Sequence, residues 1–268
     1  MSYFNYYPAS RMFHGSRMSV MGTRLDVLLM GERPEQLQKI WSEIENEVLE
    51  LDKLLSRFDP KSEVFRINRY ASSYPVDVSG QLWEILADCR YYYELTDGYF
   101  DVTLHNFDLI SFSESSNSLF FNSGDLRLDF GGYAKGYALN RIKEILDIYS
   151  VNSALINFGN SSVYAHGSHP YGSHWEIGIE NPYGNEPVGS VRLCSSSLSV
   201  SGNIPGHFRH IKNPHTGRYE ESRKMVSVVA RDPLIAEILS TTLMIADEKE
   251  AGNIISKLDI NEKHIYTL

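Results

Sequence analysis

Cysteine is nearly missing from this sequence, with Cys89 and Cys194 the only two in 268 residues. So few, and so far apart, they exclude a disulfide-stapled scaffold and a cysteine-rich metal cluster. They read as buried free thiols, one in a helical stretch and one in a strand-like stretch. Long apolar runs are missing too, and none approaches the ~18 residues of a membrane span. The first 25 residues hold no apolar segment followed by a small-residue cleavage site. The expectation is a cytoplasmic chain, or a periplasmic one if a leader has been removed. A basic surplus is absent: the formal net charge is −9. That argues against a nucleic-acid or anionic-membrane partner, which would need cations to release counterions. An anionic small ligand remains open, provided a few lysines, arginines or a metal supply local positive charge.

Familiar catalytic signatures are also lacking. The chain has no Gly-x-Ser-x-Gly elbow, no His-Glu-x-x-His, no phosphate-binding Walker loop and no Gly-x-Gly-x-x-Gly fingerprint. Its nine histidines show no metal-ligand spacing. What is present is the profile of a soluble globular protein, 42% hydrophobic and 22% charged.

Residues 18–30 carry β-branched and aliphatic residues in loose alternation and predict an early strand. Pro34 opens a long helix running to about Arg57, with Leu37, Ile40, Trp41, Ile44, Val48, Leu51 and Leu55 on one face. Ser79 is an N-cap for a second helix through Leu82, Ile85, Leu86, Cys89 and Tyr93. Short strands and turns fill 107–130, and a third helix spans about Gly132 to Tyr149. From 153 to 231 strand-like runs follow one another between turn residues. Two helices, about 233–247 and 248–258, and a strand near 263–267 close the chain. Helical and strand runs are mixed rather than strictly alternating, so the class is α+β.

Three places can carry chemistry. Asp129-Phe-Gly-Gly-Tyr-Ala-Lys-Gly136 lies at a strand-to-helix transition. Paired glycines let a ligand approach the backbone, the helix start offers N–H groups to a phosphate, and Lys135 adds a charge. The same residues also read as a helix start with packing glycines and a surface lysine. Glu237 and Thr241 stand four apart in a helix, so their oxygens share a face, a hard-oxygen set suited to Mg. An exposed glutamate and a helix-facing threonine is the other reading. His210 precedes a proline-containing turn, as a functional or a purely structural histidine.

In order along the chain, these pieces resemble the FAD:protein FMN transferase (ApbE) family. The matching segments are Met21-Gly-Thr23, Ser56 to Glu63 with Ile67-Asn68, Asp97-Gly-Tyr-Phe-Asp-Val-Thr103 and Asp129 to Tyr137. Ser201-Gly202, His210 to Gly217 and Ala236 to Leu243 complete the series. The resemblance covers nearly the whole chain. It implies a single domain over 1–268, an α+β, T-fold-related architecture of mixed sheets with flanking helices, and an FAD cleft between two lobes.

The implied activity is Mg-dependent transfer of FMN from FAD to a threonine hydroxyl of an acceptor flavoprotein, with release of AMP. By the same resemblance Met21, Phe58, Tyr99, Phe100 and Asp101 line the flavin and adenine sites. Asp129 and Lys135 contact the nucleotide, Ile211 packs on it and His210 is the catalytic candidate. The metal takes the Gly132 carbonyl with Glu237, Ser240 and Thr241. Departures from the family pattern are Glu237 for Asp, Gly159-Asn-Ser161 for Gly-Gly-Asp, Val200 for Thr and Asn213 for Asp. The stretch from Thr103 to Asp129 is also short. These departures leave two further activities open, FAD binding without transfer and Mg-dependent FAD hydrolysis.

Overall fold

A computed structural model describes residues 1–206 and 210–268. Strands β1 (Ser2–Tyr7), β2 (Met12–Val20) and β3 (Thr23–Met30) form an antiparallel meander. The segment 18–30, expected to be one strand, holds the end of β2, the hairpin turn and the whole of β3. Met21 (φ 47°) and Gly22 (φ 74°) both adopt the left-handed conformation that a tight two-residue hairpin turn requires. In β3, Leu25, Val27 and Leu29 are buried while their neighbours are not, the two-residue period of a half-buried strand.

Helix α1 (Pro34–Leu55) buries every residue of its expected apolar face, from Leu37 to Leu55. Its Trp41 lies over Gly15 of β2, where an added Cβ would come within 2.4 Å of the indole ring. Then come α2 (Glu63–Tyr70), β4 (Val76–Asp77), α3 (Gly80–Leu95), β5 (Ile110–Ser113), β6 (Ser118–Phe121) and α4 (Ala134–Ile148). Ser79 caps α3 as expected, accepting from the Leu82 N–H at 3.3 Å. The chain returns through β7 (Ala154–Phe158) and β8 (Ser162–His166), then the hairpin β9 (Trp175–Ile179) and β10 (Gly189–Leu193). It ends with β11 (Ser196–Gly202), β12 (Lys224–Ala230), α5 (Pro233–Ile245), α6 (Glu248–Ile255) and β13 (Glu262–Thr267).

The main sheet has the order β1-β2-β3-β7-β8-β11-β12-β13, and β4-β6-β5 form a smaller one. Every pairing between named strands is antiparallel. Because β3 pairs directly with β7, Leu25 opposite Phe158, all of 31–153 is one excursion that leaves and rejoins the sheet at neighbouring strands.

Apolar side chains of α1 and α4 pack on β2, β3 and β7. Those of α2, α3 and the small sheet make a second core, which Leu234 and Ile238 of α5 join. On the far side of β8, β11 and β12, Val163, Ala165 and Leu198 meet the β9–β10 hairpin through Trp175 and Val191. Side chains alternate across a strand, so Ser162 on β8 and Ser199 and Ser201 on β11 face the other way, toward α5.

Helix α5 is fixed at both ends. Asp232 accepts from the Leu234 N–H at 2.8 Å, and Asn140 of α4 donates to the same carboxylate at 2.8 Å. Lys224 Nζ donates to the Leu243 and Met244 carbonyls at 2.6 and 3.2 Å, closing the far end.

Both cysteines are free. Cys89 is buried in α3, but Cys194 is exposed, a correction to its reading as a buried thiol, because it falls in the turn between β10 and β11. Among the described residues no helix is long and apolar enough to cross a membrane.

Candidate functional site

The turn ahead of α4 is built on Asp129. Its backbone N–H donates to the Val102 carbonyl at 2.6 Å, and its Oδ1 accepts from the Gly131 N–H at 2.9 Å. Its Oδ2 is paired with Arg57 at 3.2 Å. Arg57 was not singled out by sequence reasoning, since a single arginine beyond a helix end carries no pattern of its own. The guanidinium also stands 4.6 Å over the Phe58 ring, which is 75% exposed. No side chain caps the start of α4, where Tyr133 is the N-cap. The Ala134 N–H donates to the Phe130 carbonyl at 2.8 Å, and no acidic side chain of the first turn neutralises the positive end of the helix.

Lys135, in the first turn of α4, points at α5 and pairs with Glu237 Oε1. Glu237 is 3% exposed. Its Oε2 accepts from Ser162 Oγ at 2.6 Å and from Ser199 Oγ at 3.0 Å. From Ser199 a ladder of hydroxyls continues to Ser240 (2.9 Å), Ser201 (2.8 Å) and Thr241 (3.2 Å). Gly132 sits beside the last rung, where an added Cβ would lie 3.4 Å from Thr241 Oγ1. The two helices approach closely because position 136 is glycine. A Cβ there would come within 2.7 Å of the Glu237 Cβ and 2.9 Å of the Leu234 Cα. Gly132, Lys135, Glu237, Ser240 and Thr241 are thereby drawn to one place, with Asp129 in the turn just ahead of them.

Ser162 and Ser199 escaped the sequence reading, although a signal was there. Serines at 197, 199 and 201 put a polar face on a strand that is otherwise buried, and such a face needs a polar partner.

The other expected residues distribute differently. Tyr99 donates its hydroxyl to Glu250 at the start of α6, and its ring lies 4.5 Å from that of His215. Burial and the Glu250 carboxylate push Tyr99 up to about 12, so it remains a donor at neutral pH. Phe100 is turned into the core, its ring 6.3 Å from both Tyr92 and Tyr133. Ile211 is likewise buried, against Val226, Leu239 and Leu243. Met21 stands at the β2–β3 turn against the sheet core, and His210 is exposed.

Asp101 is buried beneath this loop. Its Oδ1 accepts from the Thr103 N–H and hydroxyl, both at 2.7 Å, while Oδ2 has no hydrogen-bond partner. Burial holds its carboxyl above the ordinary 3.8, against the Thr103 hydrogen bonds that pull it down. Over a window opening upward from 3.8 the folded chain retains a proton that the unfolded chain has released. Stability therefore falls as pH rises through that window. Asp101→Asn is expected to raise the melting temperature at neutral pH, with the gain shrinking as the pH is lowered into the window. A lower melting temperature at neutral pH would overturn this account of Asp101.

Among the described residues no three His, Cys, Asp or Glu side chains converge. A cation at this place would rest on one carboxylate together with neutral oxygens.

The ApbE family profile matches residues 21–116 and 104–263. An FAD:protein FMN transferase of Chlamydia pneumoniae is 25% identical, the match covering 92% of this chain and 86% of that protein. Among solved structures, the ApbE protein of Thermotoga maritima superposes with a TM-score of 0.82 at 20% identity, covering 95% of this chain and 93% of the other. The apo flavinyl transferase ApbE of Pseudomonas stutzeri gives 0.75 at 25% identity, over 94% and 87%.

Proposed function

The chain belongs to the ApbE family, and on that premise we propose that it is an FAD:protein FMN transferase acting on a threonine hydroxyl of an acceptor protein. The hydroxyl oxygen attacks the phosphorus of the FMN half of FAD. The bond to the AMP half breaks, AMP leaves, and FMN stays on the acceptor as a phosphoester. The observation that carries the reading is the convergence of Lys135, Glu237 and the hydroxyls of Ser240 and Thr241 beside Gly132, next to an uncapped helix start.

The donor set fits Mg. One carboxylate, two hydroxyls and a carbonyl are hard oxygens, and Mg binds through few protein ligands, leaving positions for phosphate and water. The side chains of Glu237, Ser240 and Thr241 with the Gly132 carbonyl would hold it. Bound there, it would neutralise charge on the phosphoryl oxygens. Lys135 and the start of α4 bind the pyrophosphate. Asp129, held by Arg57, orients the nucleotide. Tyr99 and Phe58 offer ring faces to the flavin or adenine. His210, exposed ahead of Ile211, takes the threonine proton, the usual task of a histidine at a phosphoryl-accepting hydroxyl.

The test is incubation with FAD and Mg, with and without an acceptor carrying a threonine flavinylation site, following AMP and covalent flavin together. Equal amounts of both, only with acceptor, are expected. AMP without acceptor would make the protein an FAD pyrophosphatase. FAD binding with no AMP under any condition would make it a flavin-binding relative.

A further inference from the structure

Glu237 keeps its carboxylate where water barely reaches, and an ionised group there needs donors on its oxygens. The two oxygens are treated differently. Oε2 takes two hydroxyl donors from neighbouring strands, Ser162 of β8 and Ser199 of β11, whereas Oε1 takes Lys135. A carboxylate oxygen offers about two lone-pair sites, so Oε2 is filled and Oε1 keeps one in hand.

We propose that Ser162 and Ser199 are positioning residues: they lock Oε2 to the main sheet, make Oε1 the oxygen that Glu237 offers to a cation, and match the site to glutamate rather than aspartate. The match follows from where the side chain begins and ends. Its Cβ lies over Gly136 of α4, where an added Cβ would come within 2.7 Å of it, so the root of the side chain cannot move toward that helix. Its far end meets Ser162 Oγ at 2.6 Å. An aspartate on the same Cα falls short by one carbon–carbon bond, about 1.5 Å, which takes both serine contacts out of hydrogen-bonding range.

The same two serines anchor the hydroxyl ladder. Each hydroxyl has one proton, and Ser199 gives its own to Glu237 Oε2. Ser240, 2.9 Å from Ser199 and 2.8 Å from Ser201, also has the Glu237 backbone carbonyl as an acceptor at 3.1 Å. Thr241 ends the ladder beside Gly132, 3.2 Å from Ser201.

This inference rests on the reading of Glu237 and Thr241 as cation ligands, and Mn2+ is the probe. Its affinity for the full chain, with and without FAD, is measured by calorimetry for four proteins. These are the wild type, Glu237→Asp, S162A/S199A, and the triple variant S162A/S199A/E237D. In the wild-type background, Glu237→Asp is expected to weaken Mn2+ binding by about tenfold to a hundredfold, the usual cost of disturbing a ligand's support. Without the two serines the same exchange should change affinity by no more than about threefold, because the coupling is gone.

Melting temperatures are read in parallel, since a purely structural role would lower them without making the effect of Glu237→Asp depend on the serines. Should the double variant fail to fold, S162A and S199A, each leaving one hydroxyl on Oε2, serve as backgrounds and should show an intermediate dependence. An equal loss on Glu237→Asp in every background overturns the proposal while leaving the metal site standing. No Mn2+ binding to the wild type, even with FAD, removes the metal reading and this proposal with it.

Discussion

Glu237→Ala is expected to lower FMN transfer by about three orders of magnitude, the several kcal/mol that a metal's charge stabilisation supplies to such a reaction. The substitution also removes the acceptor for Ser162 and Ser199 and the counter-charge of Lys135. Breaking a buried ion pair from one side costs about 3–5 kcal/mol. Lys135 keeps 18% of its side chain exposed and can turn toward water, so a smaller loss, about 1–3 kcal/mol, is expected here. Glu237→Gln separates the two effects. The amide oxygen can still accept from both serines, but the amide NH2 then faces the Lys135 ammonium, so only the serine part of the stability should be recovered while transfer is lost. Steady-state rates of AMP release beside thermal melting decide the matter. Full activity in the glutamine variant would mean that the charge at 237 has no part in the chemistry.

Gly136→Ala is the second large effect. In an ordinary helix this exchange adds about 1 kcal/mol of stability. Here the new Cβ meets backbone, 2.9 Å from the Leu234 Cα and 3.0 Å from the Pro233 carbonyl, and neither atom can rotate away. Overpacking of about 1–3 kcal/mol should outweigh the helix gain. Helix α5 is forced off α4 and carries Glu237, Ser240 and Thr241 with it, so transfer should fall together with stability. Gly252→Ala in α6 is the control, since nothing lies within 4 Å of its added Cβ. There the ordinary gain of about 0.5–1 kcal/mol is expected. Chemical denaturation of both variants checks the pair, and equal stability changes would sink the packing argument.

What the sequence disclosed depended on how local each signal was. Helices α1 and α3 were legible because an apolar face repeats at helical spacing and Pro34 and Ser79 mark where they begin. Strand β1 was not, because its residues are almost all exposed and no alternation remains to be seen. The β2–β3 turn was hidden because Met21-Gly22 lacks the asparagine or aspartate that usually announces a tight hairpin. The eight-residue α2 is too short for its periodicity to stand out.

At the candidate site the motif residues were visible as motifs. Their partners were not, because Arg57 beside Asp129 and Ser162 and Ser199 beside Glu237 arrive from distant parts of the chain. Phe100 and Ile211 lie within motif segments yet are occupied by core packing, a distinction that only burial reveals.

The excursion between β3 and β7 bears on how chains of this kind can vary in length. Both of its ends are fixed by the pairing of adjacent strands, so residues can be lost or gained in its exposed turns, such as 114–117, without disturbing that pairing. Lengthening a connection is cheap, about 0.6 kcal/mol for each doubling of a flexible loop. The strands that carry the serines have no such freedom. A one-residue slip of β8 or β11 turns every side chain to the opposite face and would leave Glu237 facing valine and leucine in place of Ser162 and Ser199.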